Sequence, residues 1–252
     1  MTLLTAPIQR SPGFSFKWLL RRYIVGLPDT DLIHVGKCGG LSLRGAFDQV
    51  AKQLPVHVVH IKKPIYYPRV QYVIVARDPI SRLISAFNWR YLLVVEEERP
   101  WQRHKIKGEY EVLKKYKSLN GIAEELYDQY DNANLSVHRE IRKIRHIRED
   151  IGFYLFDFVK RCPPHQIVAV FMQETLDADV RTHLGINLPE RKNDNSKSSR
   201  ENALSQRAMR NLRRFFHDDY AALLKLYCDG KIAPQTYEGI IQRSCHSSET
   251  TN

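Results

Sequence analysis

One stretch, residues 31–47, changes from a strand pattern to a helix pattern at its middle, and it constrains the fold more than any other part of the chain. A short apolar run over 32–35 ends at Gly36, and apolar residues return with helical spacing from Leu43 onward. Between the two patterns lie Lys37 and a pair of adjacent glycines. Glycines let backbone N–H groups approach an anion, and a following helix N-terminus adds its dipole and unpaired donors. The stretch therefore predicts a strand–turn–helix unit whose turn cradles a phosphate-like group.

A second stretch, residues 70–87, makes the same change of pattern. Residues 70–76 are apolar nearly throughout, which is typical of a strand buried on both faces of a parallel sheet. Asp78 then stands where a helix cap is expected, and Pro79 stands at the first helical position. Arg77 is thereby placed in the turn between strand and helix.

The two stretches together resemble the donor-binding loops of sulfotransferases of the carbohydrate and bacterial types, whose donor is 3′-phosphoadenosine 5′-phosphosulfate. The resemblance covers residues 31 to about 95. In the 3′-phosphate loop of these enzymes an Arg ends a strand and a Ser follows eight positions later, as Arg77 and Ser85 do here. The resemblance implies that the donor is bound by Gly36, Lys37, Cys38, Gly39, Gly40, Leu41, Ser42, Arg77 and Ser85. A late basic loop closes the nucleotide site in such enzymes, which by resemblance adds Lys197, Ser198 and Arg200.

The chemistry of sulfuryl transfer indicates two catalytic roles. Charge builds on the leaving oxygen as the S–O bond breaks, so a preorganised cation is needed, and Lys37 is the candidate. The acceptor must also lose a proton to a base. His60, at the end of the predicted second strand, is the preferred base, and His57 and the Glu96–Glu98 region are the alternatives. In many carbohydrate sulfotransferases the segment that corresponds to 62–69 is longer and carries the base, so this chain departs from that pattern there.

Two other classes of function compete with a sulfotransferase. A metal-dependent nucleotide or small-molecule kinase is disfavoured because Lys37 precedes the glycine pair, whereas the triphosphate signature has its Lys after the last Gly. A non-catalytic module that binds nucleic acid or another polyanion would suit the net charge of +11, but basicity does not require two ordered loops. We therefore expect no metal and no nucleic-acid partner. The acceptor stays open among small molecules, glycans and lipids, and the oligomeric state stays open as well.

The length of 252 residues and the hydrophobic content of 43% fit one α/β domain over residues 1–252. The expected architecture is a three-layer, P-loop-like domain whose mostly parallel central sheet is flanked by helices. Residues 1–30 are expected to be an N-terminal extension and residues 246–252 a disordered tail. The predicted strands are 31–35, 56–61, 70–76 and 166–171.

Helical patterns fill the rest of the chain. One long helix is predicted over 137–158, where an apolar stripe runs beside basic residues that form a solvated face or, alternatively, a wall for an acidic substrate. Other helices are predicted over 42–53, from Pro79 towards Glu96–Glu98, in pieces over 101–135, and over 174–184, 201–228 and 234–243.

The N-terminal residues and the cysteines predict a cytoplasmic protein. The apolar region 14–25 is interrupted by Lys17, Arg21 and Arg22, so we expect no transmembrane span. A helix docked on the domain is favoured there, and an amphipathic helix in contact with a membrane is the alternative. The spacing of the four cysteines suits no metal site and predicts reduced thiols. The turn that binds the anion would lower the pKa of the Cys38 thiol. Even so, we favour Cys38 as a small residue that contacts the cofactor over Cys38 as a nucleophile.

Overall fold

The central element is one sheet of four parallel strands in the spatial order β2-β1-β3-β4. The computed structural model describes residues 26–188 and 203–245. Each strand overlaps a predicted one and helices flank the sheet, so the predicted three-layer α/β fold is confirmed. The strands are β1 (Thr30–His34), β2 (His57–Val59), β3 (Gln71–Ala76) and β4 (Ile167–Met172).

Helices connect these strands and cover them. A π-helical turn, Leu92–Glu96, continues the helix that follows β3. No helix among the described residues is both long and apolar enough to cross a bilayer. The helices are α1 (Gly40–Gln49), α2 (Pro79–Tyr91), α3 (Pro100–Arg103), α4 (Glu109–Tyr116), α5 (Leu119–Glu124), α6 (Leu135–Ile141), α7 (Ile151–Arg161), α8 (Leu176–Leu184), α9 (Gln206–Phe215), α10 (His217–Cys228) and α11 (Pro234–Cys245).

The two central strands are the most buried part of the sheet. Leu32 and Ile33 of β1 are fully buried, and Leu32 faces Val73 of β3 on one side and Val58 of β2 on the other. Side chains of α1, α7, α8 and α10 join the strands in one hydrophobic cluster. Burying this apolar surface fixes the register of the strands, and so it fixes where each strand ends.

A second hydrophobic cluster holds α2 against α4, α5, α6 and α9. At its edge Arg90 of α2 makes a bidentate pair with Glu109 of α4, with both N···O distances 2.8 Å. Gln102 accepts a third hydrogen bond from Arg90 at 2.7 Å. A buried ion pair offsets the cost of its desolvation only when its hydrogen bonds are satisfied, as they are here. The pair therefore fixes the position of α2 in the fold.

The contact between α7 and α10 contains a buried carboxyl group. Asp219 of α10 is fully buried, and its Oδ1 accepts a hydrogen bond from the Gly152 N–H at 2.7 Å. Its other oxygen is buried without a hydrogen-bond partner. Burial, with the nearby Asp150 carboxylate, raises the pKa of Asp219 to about 8.

The single helix predicted over 137–158 is wrong. Residues 142–150 separate α6 from α7, and His146 among them has a left-handed backbone with φ of 64°. The N–H groups of Arg145 and His146, which would continue the ladder of α6, donate instead to the side chains of Glu109 and Glu149, at 2.8 Å each. Further along the segment, Arg82 Nη2 of α2 donates to the carbonyl oxygens of His146, at 2.6 Å, and Glu149. Contacts with distant residues therefore replace the helical hydrogen bonds here.

Candidate anion-binding site

The two turns singled out in the sequence emerge side by side from the sheet. β1 and β3 are parallel neighbours, and the chain continues from β1 to β2 on one side and from β3 to β4 on the other. The strand order therefore reverses between β1 and β3. In open α/β sheets, ligands bind outside the carboxyl ends of the strands at such a switch point. Residues 35–39 follow β1 and residues 77–78 follow β3 at this place.

The turn after β1 presents backbone donors. Gly39 precedes α1 with φ of 77°, and no side chain caps the helix there. The first bond of the helix runs from the Leu43 N–H to the Gly39 carbonyl at 3.1 Å. The N–H groups of Gly40, Leu41 and Ser42 precede that bond and have no partner within the helix. These donors and the helix dipole favour an anion at this end of α1.

The two glycines of this turn are also required by contacts within the protein. A Cβ on Gly39 would overlap the side-chain oxygen of Gln173, which follows β4. A Cβ on Gly40 would overlap the ring of His34. Close approach of these side chains is sufficient to explain the glycines, so the glycine pair alone does not identify a phosphate cradle.

Lys37 and Arg77 bring the two turns into contact. Arg77 Nη1 donates to the Lys37 carbonyl at 3.4 Å, and Arg77 Nε is buried without a hydrogen-bond partner. Lys37 Nζ lies 4.8 Å from the centre of the Trp89 ring. Burial, together with Arg77 and Arg82, lowers the pKa of Lys37 to about 8. Within the described residues no carboxylate forms an ion pair with either cation, although the Asp78 and Glu174 carboxylates lie at the turn after β3.

Arg82 connects the turn after β1 to the segment 142–150 by hydrogen bonds, a role that the sequence did not predict. Its side chain is fully buried, and Nε donates to the Gly36 carbonyl at 2.9 Å. The same guanidinium binds the carbonyls of His146 and Glu149, while Nη1 is buried without a partner. Arg82 therefore holds the turn after β1 against the segment 142–150.

Cys38 is a buried thiol rather than an activated one. Its side chain is fully buried, and burial raises its pKa to about 12 despite the neighbouring arginines. The expected lowering of this pKa is therefore wrong, because desolvation of the thiolate outweighs the attraction of Arg82 and Arg77.

The beginning of α2 is already capped. Asp78 accepts a hydrogen bond from the Ser81 N–H at 2.7 Å, and the Asp78 N–H donates to Glu174 at 3.0 Å. The second turn of α2 carries Ser85, which is half-buried and lies four residues before Trp89. Residues four apart share a helix face, so Ser85 lies on the face that reaches Lys37.

Three histidines form a column beside the first turn. The rings of His34 and His60 are stacked with centroids 4.2 Å apart, and the centroid of His146 lies 6.5 Å from that of His60. His60 Nδ1 lies 2.9 Å from the His34 carbonyl oxygen. Because a carbonyl only accepts, Nδ1 is the donor, and the lone pair of the neutral ring is on Nε2.

The outer members of this column are neutral at pH 7. Burial, His60 and Arg44 lower the pKa of His34 to about 3. Burial, Arg145 and Arg82 lower the pKa of His146 to about 2. His146 had no signal in the sequence, because residues 142–150 have a helical pattern there.

The other candidate bases lie elsewhere. His57 is at the start of β2, and its Nδ1 lies 2.9 Å from Asp31 Oδ1. Glu97 and Glu98 follow the π-helical turn and pair with Arg99, at 2.5 Å, and Arg103, at 3.3 Å. His60, in contrast, lies beside the turn after β1, with its Cε1 3.8 Å from a Cβ built on Gly36.

The remaining predicted groups are dispersed or undescribed. Lys197, Ser198 and Arg200 lie outside the described residues, as do residues 1–25 and 246–252. Of the basic residues near α6, Arg142 pairs with Asp150 and Arg148 pairs with Glu149, while Arg139 and Lys143 are exposed. In the described part of the chain, no group of three His, Cys, Asp or Glu side chains is arranged to hold a metal ion.

Comparisons of this chain with protein-family models, with curated proteins and with solved structures gave no match.

Proposed function

We propose that this chain is a sulfotransferase that moves a sulfuryl group from 3′-phosphoadenosine 5′-phosphosulfate to a hydroxyl or an amine. The observation that carries the proposal is the meeting of Lys37 and Arg77 at the switch point of the sheet, through the 3.4 Å contact between their turns. The donor carries negative charge both on its 5′-phosphosulfate and on its 3′-phosphate. Two adjacent turns, each with its own cation, suit a ligand with two anionic groups.

The turn after β1 is assigned to the phosphosulfate. Its uncapped amides at Gly40, Leu41 and Ser42 and the Lys37 ammonium would face the oxygen that leaves with the nucleotide. An anion beside Lys37 raises the pKa of that side chain from about 8, so donor binding secures the cation that the transition state needs. Gly36, Cys38 and Gly39 complete this turn by their backbone.

The turn after β3 is assigned to the 3′-phosphate. Arg77 has a buried Nε without a partner, and a phosphate oxygen would satisfy it. Ser85 on the adjoining face of α2 adds a hydroxyl donor. Because this phosphate is remote from sulfur, the pair positions the donor rather than acting on the reacting atoms.

His60 is assigned as the base. It lies just beyond β2 at the carboxyl edge of the sheet, and its Nε2 carries the lone pair that can accept a proton. The buried Cys38 and Cys162 and the exposed Cys228 are free thiols, which is compatible with the cytoplasmic location we propose. The acceptor belongs among small molecules, glycans and lipids.

Thermal shift tests this proposal against its alternatives. We expect 3′-phosphoadenosine 5′-phosphate in EDTA to raise the Tm, while magnesium-ATP and an oligonucleotide raise it less. A hundredfold excess over Kd stabilises a fold by about 2.7 kcal/mol, which corresponds to about 5–11 °C for a chain of this size. No shift at millimolar ligand would reject the sulfotransferase. A larger shift with magnesium-ATP would favour a kinase, and a larger shift with the oligonucleotide would favour a polyanion-binding module.

A further inference from the structure

The ammonium group of Lys37 lies against an aromatic ring. Its Nζ is 4.8 Å from the centre of the Trp89 ring, within the distance of about 6 Å at which a cation is attracted to a π face. Among the described residues this ammonium makes no hydrogen bond and no ion pair. In that part of the chain, Trp89 is therefore the side chain that attracts and holds the Lys37 cation.

The backbone that carries this ammonium is fixed in an uncommon conformation. Lys37 has φ of 69°, in the left-handed region that residues other than glycine rarely adopt. Arg77 Nη1 donates to the Lys37 carbonyl at 3.4 Å, and Arg82 Nε donates to the preceding carbonyl, that of Gly36, at 2.9 Å. Such a conformation persists only when its surroundings determine it, and it is concentrated at functional sites. The Lys37 side chain therefore leaves the turn from a fixed starting point.

The Trp89 ring is held from its own side by the packing of α2. Trp89 is half-buried and packs against the hydrophobic cluster that joins α2 to α4, α5, α6 and α9. The next residue, Arg90, makes the buried bidentate pair with Glu109. A Trp side chain loses little conformational entropy when it is fixed. The ring is thus a rigid surface beside the turn after β1.

A π face is a suitable neighbour for a cation that has to stay available to a ligand. A carboxylate would occupy the N–H groups of Lys37 and would repel an anion. An aromatic ring attracts the charge and leaves those N–H groups to donate elsewhere. Burial lowers the pKa of Lys37 to about 8, and attraction to the ring opposes that shift because it favours the charged form.

We propose that Trp89 is a positioning residue for sulfuryl transfer, whose ring holds the Lys37 ammonium where its N–H groups can reach the phosphosulfate. The inference rests on the proposed sulfotransferase function and adds a residue to its site. Trp89 acts on the donor only through Lys37. The competing explanation is that Trp89 merely covers the hydrophobic cluster beneath it, and replacing the ring distinguishes the two.

Calorimetry at pH 7 compares 3′-phosphoadenosine 5′-phosphate with adenosine 3′-phosphate, which lacks the phosphate assigned to Lys37. Trp89→Leu should raise the Kd of the first nucleotide by about twofold to thirtyfold, the range that one cation–π contact supplies, and leave the Kd of the second unchanged. Trp89→Phe keeps a π face and should retain most of the affinity. Trp101→Leu is the matched control, because Trp101 of α3 is 64% exposed, and it should bind both nucleotides as the unmodified protein does.

The double variant Lys37→Ala/Trp89→Leu tests whether Trp89 acts through Lys37. Without the ammonium the ring has no cation to hold, so the double variant should bind 3′-phosphoadenosine 5′-phosphate as Lys37→Ala does. NMR of protein labelled with ¹³C-lysine is a second measurement that leaves Trp89 in place. The ε-methylene signal of Lys37, identified by its absence in Lys37→Ala, should be shifted upfield by the ring current of the indole.

Four binding results would overturn the inference while leaving the sulfotransferase in place. These are unchanged affinity in Trp89→Leu, equal losses for the two nucleotides, equal losses in Trp89→Leu and Trp89→Phe, and a further loss in the double variant. A Lys37 signal at the chemical shift of an exposed lysine would also overturn it, even if Trp89→Leu did not fold. Failure of the unmodified protein to bind 3′-phosphoadenosine 5′-phosphate would instead reject the proposed function itself.

Discussion

Replacing Arg82 by methionine should destabilise the protein strongly, although Arg82 stands in a helix whose other contacts stay intact. The side chain is fully buried and donates to three backbone carbonyls, those of Gly36, His146 and Glu149. Methionine is flexible and about as long, so it fills much of the same space. The change therefore removes the hydrogen bonds while leaving little cavity.

The magnitude follows from those three bonds. Hydrogen bonds to a charged group contribute about 1.5–3 kcal/mol each, or about 4.5–9 kcal/mol for three. Removing a buried cation, whose Nη1 has no partner, offsets part of this loss. Each carbonyl left buried without its donor costs about 1–3 kcal/mol, and with that offset we expect a net loss of about 3–5 kcal/mol. It corresponds to a fall in Tm of about 6–20 °C for a chain of this size.

Thermal unfolding followed by circular dichroism measures the effect, with urea unfolding as a second measure of stability. Arg82→Lys keeps the charge but not the planar fork, so it should lie between the methionine variant and the unmodified protein. Arg139→Met is the matched control, because Arg139 is exposed on α6 and should change stability by no more than about 0.5 kcal/mol. If Arg82→Met melted within 2–3 °C of the control, roughly the shift that corresponds to 1 kcal/mol, Arg82 would not hold the turn after β1.

Three further predictions concern the site and the core. Lys37→Ala should lower the rate of single-turnover sulfuryl transfer at saturating donor by roughly a hundredfold to a thousandfold. Lys37→Arg should restore only part of that rate. Normal turnover with weakened donor binding would show that Lys37 only binds the phosphate and does not stabilise the transition state. Arg77→Ala should bind nucleotides with and without a 3′-phosphate equally in calorimetry, and a large remaining preference would reject its role. The pKa of Asp219 is raised in the folded state to about 8, so the protonated Asp219 carboxyl stabilises the fold fully at pH values below the ordinary carboxyl pKa. This stabilisation is lost as the pH rises towards 8. Asp219→Asn should flatten that fall in denaturant titrations between pH 4 and about 8, whereas an unchanged slope would place the cause elsewhere.

The strands and their turns were predictable because their signals are local. Runs of apolar residues end at Gly36 and at Arg77, and each run is followed by helical spacing. The cap at Asp78 and the first helical position at Pro79 are both confirmed, since a carboxylate and a fixed φ favour that helix start in any context.

The features that the sequence did not predict depend on contacts between residues that are far apart in the chain. Arg82 is separated by 64 residues from the His146 carbonyl that it binds, so no local pattern indicates that the helix over 137–158 is broken there. The pKa of Cys38 depends on burial, which the composition of its loop does not reveal. His146 joins the site only because that break turns its ring towards Gly36.

A crystal structure of the protein with 3′-phosphoadenosine 5′-phosphate, grown in EDTA, would show directly which residues bind the two phosphates of the nucleotide. We expect the 5′-phosphate within hydrogen-bond distance of Lys37 Nζ and of the first amides of α1, and the 3′-phosphate on Arg77. The same ligand bound with its phosphates on other residues, or no ligand at the switch point between β1 and β3, would reject the assignment of the two turns to the two phosphates.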